Sequence, residues 1–276
     1  MSNADVRPHH CYARAQRLLA EVGLIRDELG RSQDTRPAVE ITDANPRECY
    51  FEALATWHKV DRLAAEVGVS STRFAHAAPP LTETTPGHVI EVIDAVLDQV
   101  DAIRQRLGIK EATAAEPALE TNRQPSDVLV TLIRVNRELS RSLERPFTPG
   151  DVYRVVALAS TYAARLGGTA TLAPFERKRK PKDCYQRLTA CHAALAATIA
   201  KRGHAAMSAR SQPTDVLPGD VYDLACLVLG ELTFLHALTD KAQPVHAFEP
   251  AATGYRLPGH VDQLARTLEA QIAAIG

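Results

Sequence analysis

"FTPGDVY", residues 147–153, recurs along this chain with small changes. "TPGHVI" stands at 85–90, "LPGDVY" at 217–222 and "LPGHVD" at 257–262. A version without the glycine runs beside it: "PHHCY" at 8–12, "PRECY" at 46–50, "PSDVL" at 125–129 and "PKDCY" at 181–185. The residues downstream of each proline decide the fold. The third, seventh, tenth, fourteenth and seventeenth residues after Pro149 are Val152, Val156, Ala159, Ala163 and Leu166. After Pro218 they are Val221, Ala225, Val228, Leu232 and Leu235, and after Pro8 they are Cys11, Ala15, Leu18, Val22 and Ile25. The other copies agree, with polar defects at Thr56, Ser142 and Thr198. Steps of four and three place these side chains on one stripe of a helix.

The signature itself reads as a helix start. Thr148 is the N-cap, and Pro149 takes the first helical position, where its missing N–H costs nothing. Asp151 is the third helical residue and closes a capping box, while Phe147 and Val152 make a hydrophobic staple. Glu48, Asp127, Asp183 and Asp220 hold the acidic position in other copies, and His10, His88 and His260 replace it elsewhere.

The chain therefore reads as all-α: eight amphipathic helices of roughly 20 residues, each about 30 Å long. Heptad-like spacing suits antiparallel packing, so the expected architecture is tandem αα-hairpin repeats. They form two four-helix bundles or a closed helical array in which the first and last helices pair. The tight "ERPF" link after the fourth helix is expected to make one of these antiparallel turns. Residues 109–124 are the expected linker, dividing 1–108 with three helices from 125–276 with five, unless the whole is one continuous domain. The remaining connections exceed the usual helix–helix loop, so some could run back along a helix.

Composition narrows the function. The chain of 276 residues has a formal net charge of −1, so no global field favours nucleic acid or an anionic surface. No apolar run is long enough for a transmembrane helix, and no leader is visible at the first residues. If Met1–Ala4 stand in place of a removed leader, the protein is periplasmic or secreted; otherwise it is cytoplasmic. No GxGxxG, GxxxxGK[ST], GxSxG, HExxH or CxxC occurs, so no cofactor or metal is expected. His9 and His10 precede Cys11 but have no second ligand pair nearby. Cys11, Cys49, Cys184 and Cys191 take positions that Val, Leu, Ala or Thr fill in other copies, so they read as small buried apolar side chains. Cys226 is off the stripe and unassigned. The basic run "ERKRKPKD" at 176–183 reads as a solvated loop before a helix.

Two positions remain as candidates for binding. The eleventh residue after the proline flanks the stripe and is Trp57, Asn136 and His192 in three glycine-free copies. Polar residues there either fix helix pairing or converge on a small pocket. The fourth residue is tyrosine in five copies; Tyr50, Tyr153, Tyr185 and Tyr222 could form a binding rim, their hydroxyls toward water. The favoured function is a non-catalytic helical-repeat binding module, sensor-like or scaffold, for a small molecule or a protein partner. The alternative is an enzyme or metalloprotein whose site is assembled from dispersed His, Asn and Tyr residues.

Overall fold

The computed structural model describes residues 5–70, 81–111, 115, 117–207, 209–211, 213–239 and 255–276. Met1–Ala4 lie outside them. Eight α-helices are present, and each starts at a signature proline: α1 (Pro8–Glu28), α2 (Pro46–Glu66), α3 (Pro86–Leu107), α4 (Pro125–Ser142), α5 (Pro149–Arg165), α6 (Pro181–Lys201), α7 (Pro218–Ala237) and α8 (Pro258–Ile275).

The caps form as the signature requires. In every helix the third residue accepts a hydrogen bond from the cap residue's backbone N–H. Carboxylates do so at Glu48, Asp127, Asp151, Asp183 and Asp220. Imidazole Nδ1 atoms do so at His10, His88 and His260. A histidine with Nδ1 as acceptor carries its hydrogen on Nε2, so it mimics the carboxylate. At α5 the bond is reciprocal, because Thr148 Oγ1 also accepts from the Asp151 N–H at 3.2 Å. Thr148→Ala is expected to lower the stability of residues 147–276 by about 1 kcal/mol. Chemical denaturation checks this, and Asp151→Ala added to it should cost less than the two singles summed, since both act on one box.

The stripe is the core. Leu18, Val22, Ile25, Val60, Val96, Val156, Leu195 and Leu232 are all fully buried. The polar defects are tolerated because each hydroxyl is satisfied within its own helix. Thr56, Ser142 and Thr198 donate to the carbonyls of Glu52, Glu138 and Ala194, one turn back.

The chain forms two compact units, residues 1–146 and 147–276. Each is a four-helix bundle. In the first, α1 and α2 both pack on α3 and α4, so the order around the bundle is α1, α3, α2, α4. In the second, α5 and α6 both pack on α7 and α8. Helices adjacent in sequence thus lie diagonally at α1/α2, α3/α4, α5/α6 and α7/α8. Of the two arrangements expected, the two-bundle one forms: α1 has α3 and α4 as neighbours within its unit, and α8 has α5 and α6 within its own. The boundary falls after Pro146 rather than in 109–124, because α4 packs with α1 and α2. The link 143–148 is pinned there by the Glu66 carboxylate, which accepts the N–H groups of Glu144 and Arg145 at 2.7 and 3.1 Å.

Helix direction is the larger correction. Pro8, Pro46, Pro86 and Pro125, with Cys11, Cys49, Val89 and Val128, line one small cavity. Pro149, Pro181, Pro218 and Pro258, with Val152, Cys184, Val221 and Val261, line another of about 70 Å³. All four helices of each bundle therefore begin at the same end and run parallel, not antiparallel. The connections permit this. Residues 29–45 and 166–180 number 17 and 15, and even the shorter reaches about 50 Å when extended, against a helix of about 30 Å.

These connections lie along a helix as return segments. In 29–45, Asp34 N–H donates to Glu138, Pro37 O accepts from Arg137, and Ala44 N–H donates to Ser126, so the segment climbs α4 from end to start. In 166–180, Ala173 bonds through its N–H to Thr267 and through its carbonyl to Gln263, and Pro174 O accepts from Arg266. Farther along the same segment, Glu176 pairs with Arg266 and Arg179 with Asp262 of α8.

Candidate functional site

The thirteenth residue after each proline organises the bundle interfaces. Glu21, Lys59, Gln99 and Glu138 hold it in the first bundle, and all four are buried. Each reaches the next helix around the ring. Glu21 of α1 pairs with Arg104 of α3 at 2.9 Å. Gln99 of α3 donates to Ser70 O just beyond α2. Lys59 of α2 donates to Asn136 O and Ser140 Oγ of α4, at 3.0 and 2.8 Å. Glu138 of α4 pairs with Arg26 of α1 at 2.8 Å, which raises the Arg26 pKa against the opposing effect of its own desolvation. The second bundle shows parts of the same ring. Gln271 of α8 accepts from Ser160 of α5 at 2.7 Å, and Tyr162 of α5 meets His236 of α7 edge to face. This row escaped the sequence reading, although six polar residues at one flank position were its visible signal.

The candidate residues are divided between the two units. Tyr50, Trp57 and Asn136 belong to the first unit, and Tyr153, Tyr185, His192 and Tyr222 to the second. Asn136 is fully buried and donates to the Glu52 carboxylate at 2.8 Å, so it ties α4 to α2 beside Lys59. Trp57 and His192 are buried on the flanks of α2 and α6. The tyrosines differ from a solvent-facing rim. Tyr185 and Tyr50 are buried. Tyr222 stacks on Phe147 at 4.3 Å, and burial raises its pKa. Tyr153 lies under the Arg256 guanidinium at 4.3 Å, as Tyr12 lies under that of Arg123 at 4.5 Å. Both arginines stand two residues before the proline of the last helix in their bundle, so the segments leading into those helices cover the ring faces that the sequence left open.

The cysteines are structural donors. Cys11, Cys49 and Cys184 Sγ lie 3.2, 3.2 and 3.4 Å from the carbonyls of Pro86, Pro125 and Pro258. A thiol must keep its proton to donate there, and burial pushes the Cys11 and Cys184 pKa up to about 12. Burial raises Cys49 and Cys191 as well. Thiolate is the reactive form, so an aromatic disulfide reagent at neutral pH should titrate these four only on unfolding, ahead of them the half-buried Cys226. Rapid reaction of Cys11 or Cys184 in the folded protein would refute the assignment. Among the described residues no group of three or more His, Cys, Asp or Glu side chains is placed to hold a metal; His246 lies outside those residues.

One open cleft has polar chemistry, at the start of α8. It measures about 480 Å³. Phe175, Arg177, Lys178 and Arg179 of the return segment form one wall, and Leu257, Pro258, Gly259 and His260 form the other. Phe175 stacks on the His260 ring at 4.6 Å. Behind the cleft Arg179 and Arg266 share the carboxylates of Glu176 and the buried Asp262, so those four charges neutralise one another. Arg177 and Lys178 are exposed and have no carboxylate partner among the described residues. Lys178 sits at φ 65°, in the left-handed region that glycine favours.

No protein-family model, curated protein or solved structure matches the chain.

Proposed function

We propose that the chain is a non-catalytic helical binding module and that its second bundle takes an anionic group in the cleft at the start of α8. The recurrent signature serves as a repeated helix start in this reading, and its α8 copy, Leu257–His260, also lines the site. The observation that carries the proposal is the wall bearing Arg177 and Lys178. Their charges face a cleft of about 480 Å³ while the neighbouring cations are already neutralised. The ligand is a small molecule or a partner presenting an acidic group. The alternative, an enzyme or metalloprotein built from dispersed His, Asn and Tyr residues, draws no support from their division between two units.

Calorimetric titration with inorganic pyrophosphate tests the cleft. Saturable binding is expected, weakened by added salt. Lys178→Gly, which suits the left-handed backbone, and Arg177→Gln should each reduce it severalfold without loss of stability. Binding unchanged in the double variant, or no binding at all, would overturn the proposal.

A further inference from the structure

The same face carries more than cations. Five large hydrophobic side chains are exposed among the described residues, and four of them belong to the return segment on α8 or to the lead into α8: Leu172 at 65%, Phe175 at 38%, Tyr255 at 88% and Leu257 at 41%. Phe175 and Leu257 both line the cleft. Leu172 adjoins Ala173, whose N–H and carbonyl are fastened to α8, so the apolar residue is held outward on a fixed backbone. Beyond Arg177 and Lys178 the segment continues with Lys180 and Lys182, both exposed. Four exposed cations, none with a carboxylate partner among the described residues, thus share the stretch from the return segment to the start of α6 with Leu172 and Phe175, while Tyr255 and Leu257 lie on the lead into α8, which that return segment packs on.

We infer that this face docks on an anionic lipid surface, with the lysines and arginine at the headgroups and Leu172, Leu257 and Tyr255 entering the interface. The inference rests on the anion-binding reading and names its source. Interfacial binding needs both components, basic residues for the negative surface and apolar side chains at the headgroup–acyl boundary. The chain's net charge of −1 means that attraction must come from the local cluster. No helix among the described residues is long and apolar enough to cross a membrane, so the association is peripheral. A nucleic-acid strand fits less well. Successive bases need several open aromatic faces, whereas Tyr255 alone of the four apolar side chains offers one: two are leucines and Phe175 already stacks on His260.

Vesicle cosedimentation of the full chain tests this. Phosphatidylcholine vesicles should leave the protein in solution, and vesicles with about a third phosphatidylserine should sediment it, reversibly with salt. At about fivefold per neutralised charge, Arg177→Gln, Lys178→Gly and Lys180→Gln together should weaken partitioning by about a hundredfold. Leu172→Ser with Tyr255→Ser, neither residue lining the cleft, should weaken it by about tenfold while leaving pyrophosphate binding intact. Loss of vesicle binding in both variants supports the inference. Pyrophosphate binding without vesicle binding overturns the lipid assignment and leaves the anion site standing. Vesicle binding insensitive to the Leu172 and Tyr255 changes, or retention on polyuridine in place of vesicles, also overturns it. Failure with pyrophosphate and vesicles alike removes both readings.

Discussion

Gly259→Ala should destabilise the second bundle by about 2–3 kcal/mol, whereas Gly150→Ala should leave it as stable or slightly more so. Both glycines follow the signature proline, and by sequence they are equivalent. Their surroundings differ. A Cβ at Gly150 would meet only Thr148 Oγ1 at 3.5 Å, an ordinary contact. A Cβ at Gly259 would lie 2.3 Å from the Glu176 carbonyl oxygen and 2.9 Å from the Phe175 ring. The obstacle is backbone held by the Glu176–Arg266 and Arg179–Asp262 ion pairs, so it cannot swing aside. Relief requires the return segment to lift from α8. Gly168→Ala should act alike at the other end, since its Cβ would come within 2.5 Å of the Gln271 carbonyl. Residue-resolved hydrogen exchange would show protection lost along 147–276 and retained along 1–146. A Gly259→Ala protein as stable as its parent would mean that the segment does not lie against α8.

Glu21→Ala should cost the first bundle about 3–5 kcal/mol. Glu21 is fully buried and Arg104 nearly so, at 0% and 6% exposure, and their ion pair of 2.9 Å joins α1 to α3. Truncating the acid takes a carboxylate at 2.9 Å from a guanidinium that stays inside the bundle, whose other contacts include the Glu111 carbonyl and the more distant Asp101. The pair is not thereby a large net stabiliser, because its charges were taken from water at a cost of similar size. Glu21→Leu with Arg104→Met should therefore restore most or all of the lost stability. Denaturant midpoints of the three proteins decide the matter. A double variant as unstable as Glu21→Ala alone would show that the site needs its charges and not merely its volume.

Much of this fold is legible in the sequence, because helix starts and buried stripes are local signals repeated eight times. Pro149 with Thr148 and Asp151 fixes a start from neighbouring residues alone. Direction is not local. It depends on whether the chain between helices turns or travels, and "ERPF" looks like the informative link because it is tight. The informative links are the long ones. A hairpin needs only a few residues, and about 15 to 20 are what a chain needs to return along a helix and start again at the same end. The candidate cleft is illegible for a related reason. Its walls, Phe175–Arg179 and Leu257–His260, are about 80 positions apart and meet only because 166–180 lies on α8. The signal present is the run "ERKRKPKD". Reading it as a solvated loop fits the exposure of Arg177 and Lys178 but not Arg179, which is engaged with Glu176 and Asp262. The flank position occupied by Asn136 reads equally as a pairing device or a pocket, and its bond to Glu52 fits the first.

Parallel helices also bear on how fast this chain finds its structure. In an antiparallel hairpin, neighbouring helices touch across a short turn, and an all-α protein then folds in microseconds to milliseconds. Here no two packed helices can meet without closing a long loop. Cys11 reaches a residue 75 positions away, Asn136 one at 84 and Arg26 one at 112. Loop-closure entropy must be met before any interface rewards it. Each bundle thus joins the secondary structure of a fast folder to interfaces between residues far apart in sequence, and its refolding is expected on the slower timescale of milliseconds to seconds.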